Sequence, residues 1–173
     1  MPKQIPSKET TTSANIDHEA LLIRPLSRPE DFHSLIQIWL ESSIEAHPFI
    51  SESYWRSKAA DICNIYLPAA DTYMAVIERE IVGFYAIYQQ QLAALFVKPE
   101  MQHHGIGTRL LEDAKERFAS QWGHLETKVY SQNQRAVQFY LHHGFTIQNE
   151  IVEEATQEVE LILCYHAADY PQD

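Results

Sequence analysis

Three residues in the middle of the chain, Gln102, Gly105 and Gly107, stand at Q-x-x-G-x-G spacing within LAALFVKPEMQHHGIGTRLL, Leu92 to Leu111. Around them the sequence reads as an apolar strand, a proline-marked turn, a glycine loop and a helix opening at about Thr108. Glycines let a backbone curl closely around a guest, and the free N–H groups of a helix N-terminus point at negative charge. A diphosphate is the natural guest of such a cradle. Two other phosphate loops are excluded: the third glycine of the dinucleotide fingerprint is missing, and no Gly-Lys-Ser/Thr ending follows. A short glycine loop before a helix is common in its own right, so its neighbours must make the case.

Further along, NQRAVQFYLHHGF, Asn133 to Phe145, places an asparagine at the head of a helix and Phe139 and Tyr140 within it. Taken alone, these two rings read first as packing on a helix. His47, in WLESSIEAHPFI from Trp39 to Ile50, carries an imidazole whose ordinary pKa near ~6.5 would let it accept a proton. Capping a helix or pinning a loop is the alternative for His47, and Glu45 and Tyr130 are lesser candidates. The doublets His103–His104 and His142–His143 invite a metal. Adjacent side chains do not converge on one ion in a helix or strand, however, and no H-E-x-x-H or Cys/His spacing accompanies them. No metal is expected. Glu150, Glu153, Glu154, Glu158 and Glu160 crowd the C-terminal part, either as a draw for a cationic amine or as a solvated acidic turn.

The elements that must hold these residues can be read in order. Leu21 to Arg24 is a short strand. Ser27 and Glu30 have capping-box spacing ahead of a helix with Phe32, Leu35, Ile36, Trp39 and Ser43 at helical intervals. Ser51 caps a second helix with an inner stripe of Trp55, Ala59, Ile62 and Tyr66, and His47 to Ser51 connects the two. Thr72–Glu78 and Ile81–Tyr88 form a hairpin, followed by a strand over Leu92–Val97. After the loop come a helix over about Thr108–Ser120, a strand over His124–Tyr130 and a helix over Asn133–His142, with Gly144 at its left-handed end. Strands near Phe145–Ile151 and Glu158–Tyr165 close the chain. The order β-αα-βββ-α-β-α-ββ predicts a mixed α/β fold, one mostly antiparallel twisted sheet with helices on both faces.

Composition limits the partners. The 173 residues suit one domain, expected over 21–168, with a disordered N-terminal tail expected at 1–20 and a C-terminal tail at 169–173. Seven Phe, three Trp and nine Tyr indicate a folded chain rather than a disordered one. A formal charge of −11 repels nucleic acid and anionic membranes. No apolar run reaches the roughly 18 residues of a membrane span, and the N-terminal segment has no secretory h-region. Cys63 and Cys164 are too few for a disulfide framework, so a cytoplasmic protein with reduced thiols is expected.

The two segments together, with this element order, resemble the GNAT N-acetyltransferase family over Leu21 to His166, nearly the whole chain beyond the tail. The resemblance implies acetyl-CoA as co-substrate and an amine as acceptor. It implies that Gln102, His103, His104, Gly105, Ile106, Gly107 and Thr108 hold the diphosphate, and that Asn133 hydrogen-bonds the pantetheine arm. The backbone of Leu95, Phe96 and Val97 would pair with the pantetheine, one N–H polarising the thioester carbonyl. Tyr140, also at the cofactor, matches the general acid near the sulfur. Some members carry a glutamate base where this chain has Lys128, a poor base unless its pKa is strongly depressed. Segment 39–50 resembles W-x-x-S-x4-H-P-F-I of a small bacterial branch whose members acetylate protein lysines or N-terminal amines; its loop borders the acceptor site, which makes His47 a candidate base or acceptor-site residue. The expected reaction is direct attack of a primary amine, on a protein, peptide or small molecule, in a ternary complex. Cys63, remote from the motif, gives no support for a covalent intermediate. A non-catalytic acyl-CoA-binding module or sensor is the alternative. A homodimer is a further expectation.

Overall fold

The computed structural model describes residues 20–168. The tails expected at the two ends lie outside these, apart from Ala20. Strands β1 (Leu22–Pro25), β2 (Asp71–Ile77), β3 (Glu80–Tyr88), β4 (Gln91–Val97), β5 (His124–Tyr130), β6 (Thr146–Val152) and β7 (Val159–His166) form one sheet in the order β1-β2-β3-β4-β5-β7-β6. Every neighbouring pair is antiparallel except β4 and β5. Helices α1 (Asp31–Ala46) and α2 (Glu52–Asp61) precede the sheet's central hairpins. Helix α3 (Ile106–Ala114) follows β4 and α4 (Gln134–His142) follows β5. The expected element order is the one found. Among the described residues no helix is long and apolar enough to cross a membrane.

Each face of the sheet buries its own core. Alternation along β5 sends Leu125 and Val129 to one side, with Leu110 and Leu111 of α3 and Val137 and Tyr140 of α4. Tyr130 goes to the other side, with Leu35, Ile38 and Trp39 of α1 and Trp55 of α2. Every groove between helix and sheet is thus fixed by strand parity.

The ends of elements show where local signals were overruled. Helix α1 opens at Asp31 rather than on a Ser27–Glu30 capping box, and Glu30 makes no side-chain cap. Arg24 instead grips Asp31 through two hydrogen bonds of 2.9 and 3.2 Å, tying the helix start to β1. Ser51 does cap α2, accepting from the Tyr54 N–H at 3.4 Å. Beyond Asp61 the helix widens into a π turn, Ile62–Tyr66, before a last turn at Leu67–Ala69. That turn shifts the helical phase, so Leu67 is buried while Tyr66, expected inside, is exposed. Helix α3 starts at Ile106, two residues before the expected Thr108, and runs through a second π turn to Trp122.

Candidate active site

The central feature is a bulge followed by a divergence. Ala86 pairs with Ala94, but its neighbour Ile87 pairs with Leu92, so Ala93 is an extra residue on β4. A bulge bends its strand and increases local twist. Parallel pairing with β5 is accordingly confined to Gln91–Glu126 and Leu92–Thr127. From Ala93 to Val97 the β5-facing edge of β4 has no strand partner among the described residues, and the two strands part. Leu95, Phe96 and Val97 line this opening, and all three are half-buried. At its apex Thr127 donates to the Leu92 carbonyl at 2.8 Å.

The loop above the opening is tightly coiled. His103 and Gly105 both adopt positive φ, 63° and 79°, and such reversals create concavities of backbone N–H groups suited to anions. Gly105 is the N-cap of α3, so the N–H groups of Ile106, Gly107 and Thr108 belong to its first turn and lack carbonyl partners within the helix. Ile106 itself is buried in the core; only its main chain can serve a ligand. A Cβ on Gly107 would lie 3.6 Å from the Phe139 ring and 3.8 Å from Val97 Cγ2, placing this glycine in the crease between β4 and α4. Gln102 folds back, its Nε2 donating to the Val97 carbonyl at 3.1 Å. Ser42 of α1 donates to the same oxygen at 3.0 Å. The loop is therefore hinged to the end of β4 from two sides.

Helix α4 closes the site. Asn133 caps it, its Oδ1 accepting from the Ala136 N–H at 3.2 Å. This orients the amide so that Nδ2 donates to His47 Nε2 at 3.3 Å. The opposite nitrogen, Nδ1, lies 2.7 Å from the Ser43 carbonyl and must carry the hydrogen. His47 is buried among the rings of Phe49, Trp55 and Tyr130, with centroids 5.6, 5.0 and 5.3 Å away. Burial lowers its pKa against the opposing pull of the Ser43 carbonyl, so the ring is neutral at pH 7 with both nitrogens engaged.

Tyr140 is buried, its ring packed 5.1 Å from Phe145, and its hydroxyl meets Thr127 at the apex. Burial drives the Tyr140 pKa well above the ordinary tyrosine value, with Thr127 opposing weakly. The phenol keeps its proton at neutral pH.

Other contacts at this site were not legible in the sequence. Arg135, at the start of α4, lies against His103 Nε2 and brings a cation to the rim of the loop. Thr108 Oγ1 bonds His143 Nε2 at 3.1 Å, while His143 Nδ1 engages the Phe139 carbonyl at 2.7 Å. The start of α3 is thereby tied to the end of α4. His104 Nδ1 sits 3.3 Å from the Met101 carbonyl, and His142 points to solvent. Glu45 is exposed at the end of α1. Tyr130 bonds Tyr54 and Thr156, and burial raises its pKa.

An Acetyltransferase (GNAT) domain profile matches residues 34–158. The chain belongs to the GNAT acetyltransferase family. The peptidyl-lysine N-acetyltransferase YiaC of Escherichia coli K12 is 34% identical over 137 residues, covering 79% of this chain and 90% of YiaC. YjaB of the same strain, also a peptidyl-lysine N-acetyltransferase, is 37% identical over 122 residues, covering 70% and 80%. The solution structure of apo YjaB superposes with a TM-score of 0.72 at 32% identity, over 84% of this chain and 97% of that one. With the family come activity and donor: this GNAT chain is an N-acetyltransferase that uses acetyl-CoA.

Proposed function

We propose that the acceptor is a primary amine on a protein, a lysine side chain or an N-terminus, and that it attacks the donor directly. The observation that carries this reading is the β4–β5 opening itself. An unpaired strand edge, a left-handed glycine loop and a proton-bearing phenol converge on one slot. The lysine acceptors of the two similar bacterial enzymes support the substrate class.

Acetyl-CoA supplies a thioester whose acyl carbon is open to an amine. The chain's part is to hold it. Backbone N–H groups from His103 to Thr108, with Arg135 nearby, would neutralise the diphosphate. Along Leu95, Phe96 and Val97 the main-chain groups that face the opening would pair with the pantetheine, apart from the Val97 carbonyl, which Gln102 and Ser42 already engage, and Asn133 has a second Nδ2 hydrogen to offer. A β4 N–H would polarise the thioester carbonyl. Tyr140 would protonate the departing sulfur, and its raised pKa keeps that proton available. His47 belongs to this scheme as a positioning residue, since it fixes the Asn133 amide and has no free nitrogen. Unpaired thiols at Cys63 and Cys164 support cytoplasmic residence.

The test is CoA release with matched acceptors: a lysine peptide with a blocked N-terminus, a peptide bearing only a free N-terminus, and a polyamine. The protein-acceptor reading expects one of the two peptides to give the highest kcat/KM. A preference for the polyamine would replace it with small-molecule acetylation.

A further inference from the structure

Strand parity separates the two chemistries of the opening and leaves one carboxylate on the acceptor side. Thr127 meets Tyr140 on the α3–α4 face. Lys128 and Tyr130 therefore share a common face on the opposite side, and Tyr130 packs there against α1 and α2. Glu160 on β7 is the cross-strand partner of Tyr130, so its side chain stands on this face too.

The other acids of the C-terminal region are engaged or turned outward. Glu153 accepts from the Ala155 N–H, the Thr156 N–H and the Thr156 hydroxyl at 3.1, 2.7 and 2.8 Å. Glu158 accepts from Gln132 at 2.6 Å. Glu150 and Glu154 are exposed. Glu160 is half-buried and makes no hydrogen bond or ion pair with the described residues. The groups acting on it are Lys128 of β5, Glu153 of the β6–β7 turn, and the phenols of Tyr54 and Tyr130, while Lys58 of α2 acts on Glu153. Beside them lies an aromatic wall, with Tyr54 5.2 Å and Tyr130 6.4 Å from Trp55 between ring centroids. Aromatic faces attract cations.

We infer that Glu160 is the acceptor-side base: beside the Tyr54–Trp55–Tyr130 wall it receives the acceptor's ammonium group and takes a proton from it. This rests on the acetyl-transfer reading above. In the step an N–H bond of the ammonium breaks and an O–H bond forms on the carboxylate, leaving a neutral amine whose lone pair can attack. Lys128, occupying the position where a base was expected, instead tunes Glu160. Burial pushes the Glu160 pKa up, and the Lys128 cation opposes that shift.

The experiment is the pH profile of kcat/KM for a lysine peptide, with acetyl-CoA affinity measured alongside by calorimetry. Wild type should plateau between the pKa of Glu160 and that of the amine, about 10.4. Glu160→Gln should bind acetyl-CoA normally and fall about 10²-fold at pH 7. Its rate should then climb tenfold per pH unit, because only amine already deprotonated in solution can react. Lys128→Met, at an exposed position, should move the acidic limb to higher pH, since removing a cation raises a carboxyl pKa. A Glu160→Gln profile that keeps the plateau, or a loss equal at every pH, overturns the base while leaving the transferase reading intact. A wild-type protein that binds acetyl-CoA yet releases no CoA with any amine overturns both.

Discussion

On the proposed donor side of the β4–β5 opening most of the working parts are main-chain groups, whereas on the proposed acceptor side they are side chains. The donor side consists of a left-handed loop, the first turn of α3 and the free edge of β4 beyond Ala93. The acceptor side is a wall of Tyr54, Trp55 and Tyr130 with Glu160 and Lys128 beside it. Main-chain recognition suits a ligand common to a whole family, because it depends on geometry and not on residue identity. Side chains can be exchanged without disturbing the sheet, so they are where one acceptor can be distinguished from another. A hydrogen bond from Asn133 Nδ2 to His47 Nε2 joins the cap of α4 to the end of α1.

The comparison can be broken at several points. The largest effect is expected from Gly105→Glu, which forces a side chain with charge into a residue at φ 79° facing the diphosphate cradle. Calorimetry should show acetyl-CoA affinity down at least about 10²-fold, the scale of losing several charge-assisted hydrogen bonds. Unchanged affinity would remove the loop from the donor site. Tyr140→Phe comes next: kcat should fall about 10²-fold or more while acetyl-CoA affinity stays within twofold. Wild-type turnover would strip Tyr140 of its role as acid.

A smaller and different effect is expected at His47. As a positioning residue, His47→Gln should lower kcat/KM about tenfold, one hydrogen bond's worth, equally across pH 6 to 9. A loss that disappears at high pH would restore His47 as the base. Its depressed pKa also predicts a stability signature. The unfolded chain binds the proton more readily than the folded one, so this contribution is present above the unfolded pKa of about 6.5 and is lost as pH falls below it. The wild-type thermal midpoint should decline on acidification more steeply than that of His47→Gln. Parallel declines would mean that His47 is not held neutral. The smallest effect belongs to Thr108→Val, which removes the bond to His143; about 1 kcal/mol of stability, or about 2–4 °C in Tm, should go with little change in turnover. A turnover loss larger than that of His47→Gln would give Thr108 a direct role.

The donor side was largely readable from sequence because its signals are local. Gly105, Gly107 and Asn133 announce a loop and a cap within a few residues of where each acts. The acceptor side was not, because its contacts are distant in sequence: His47 and Asn133 stand 86 residues apart, and Glu160 joins Tyr130 only through sheet register. Two hairpin turns also escaped their usual chemistry. Glu78–Arg79 and Gln89–Gln90 take positive φ at both positions, where Asn-Gly or Asp-Gly would be the ordinary signal. Neither the bulge at Ala93 nor the π turns of the long helices leave a residue-type signature here, yet the first accompanies the β4–β5 opening and the second moves Tyr66 out of the core.

The most direct measurement is a paired one on wild type, Gly105→Glu and Tyr140→Phe: calorimetric titration with acetyl-CoA, then CoA release with a lysine peptide. The account predicts that wild type binds and turns over, that Gly105→Glu loses binding, and that Tyr140→Phe binds but barely turns over. If Tyr140→Phe loses binding and turnover together, or Gly105→Glu keeps both, the division of labour between loop and phenol is wrong.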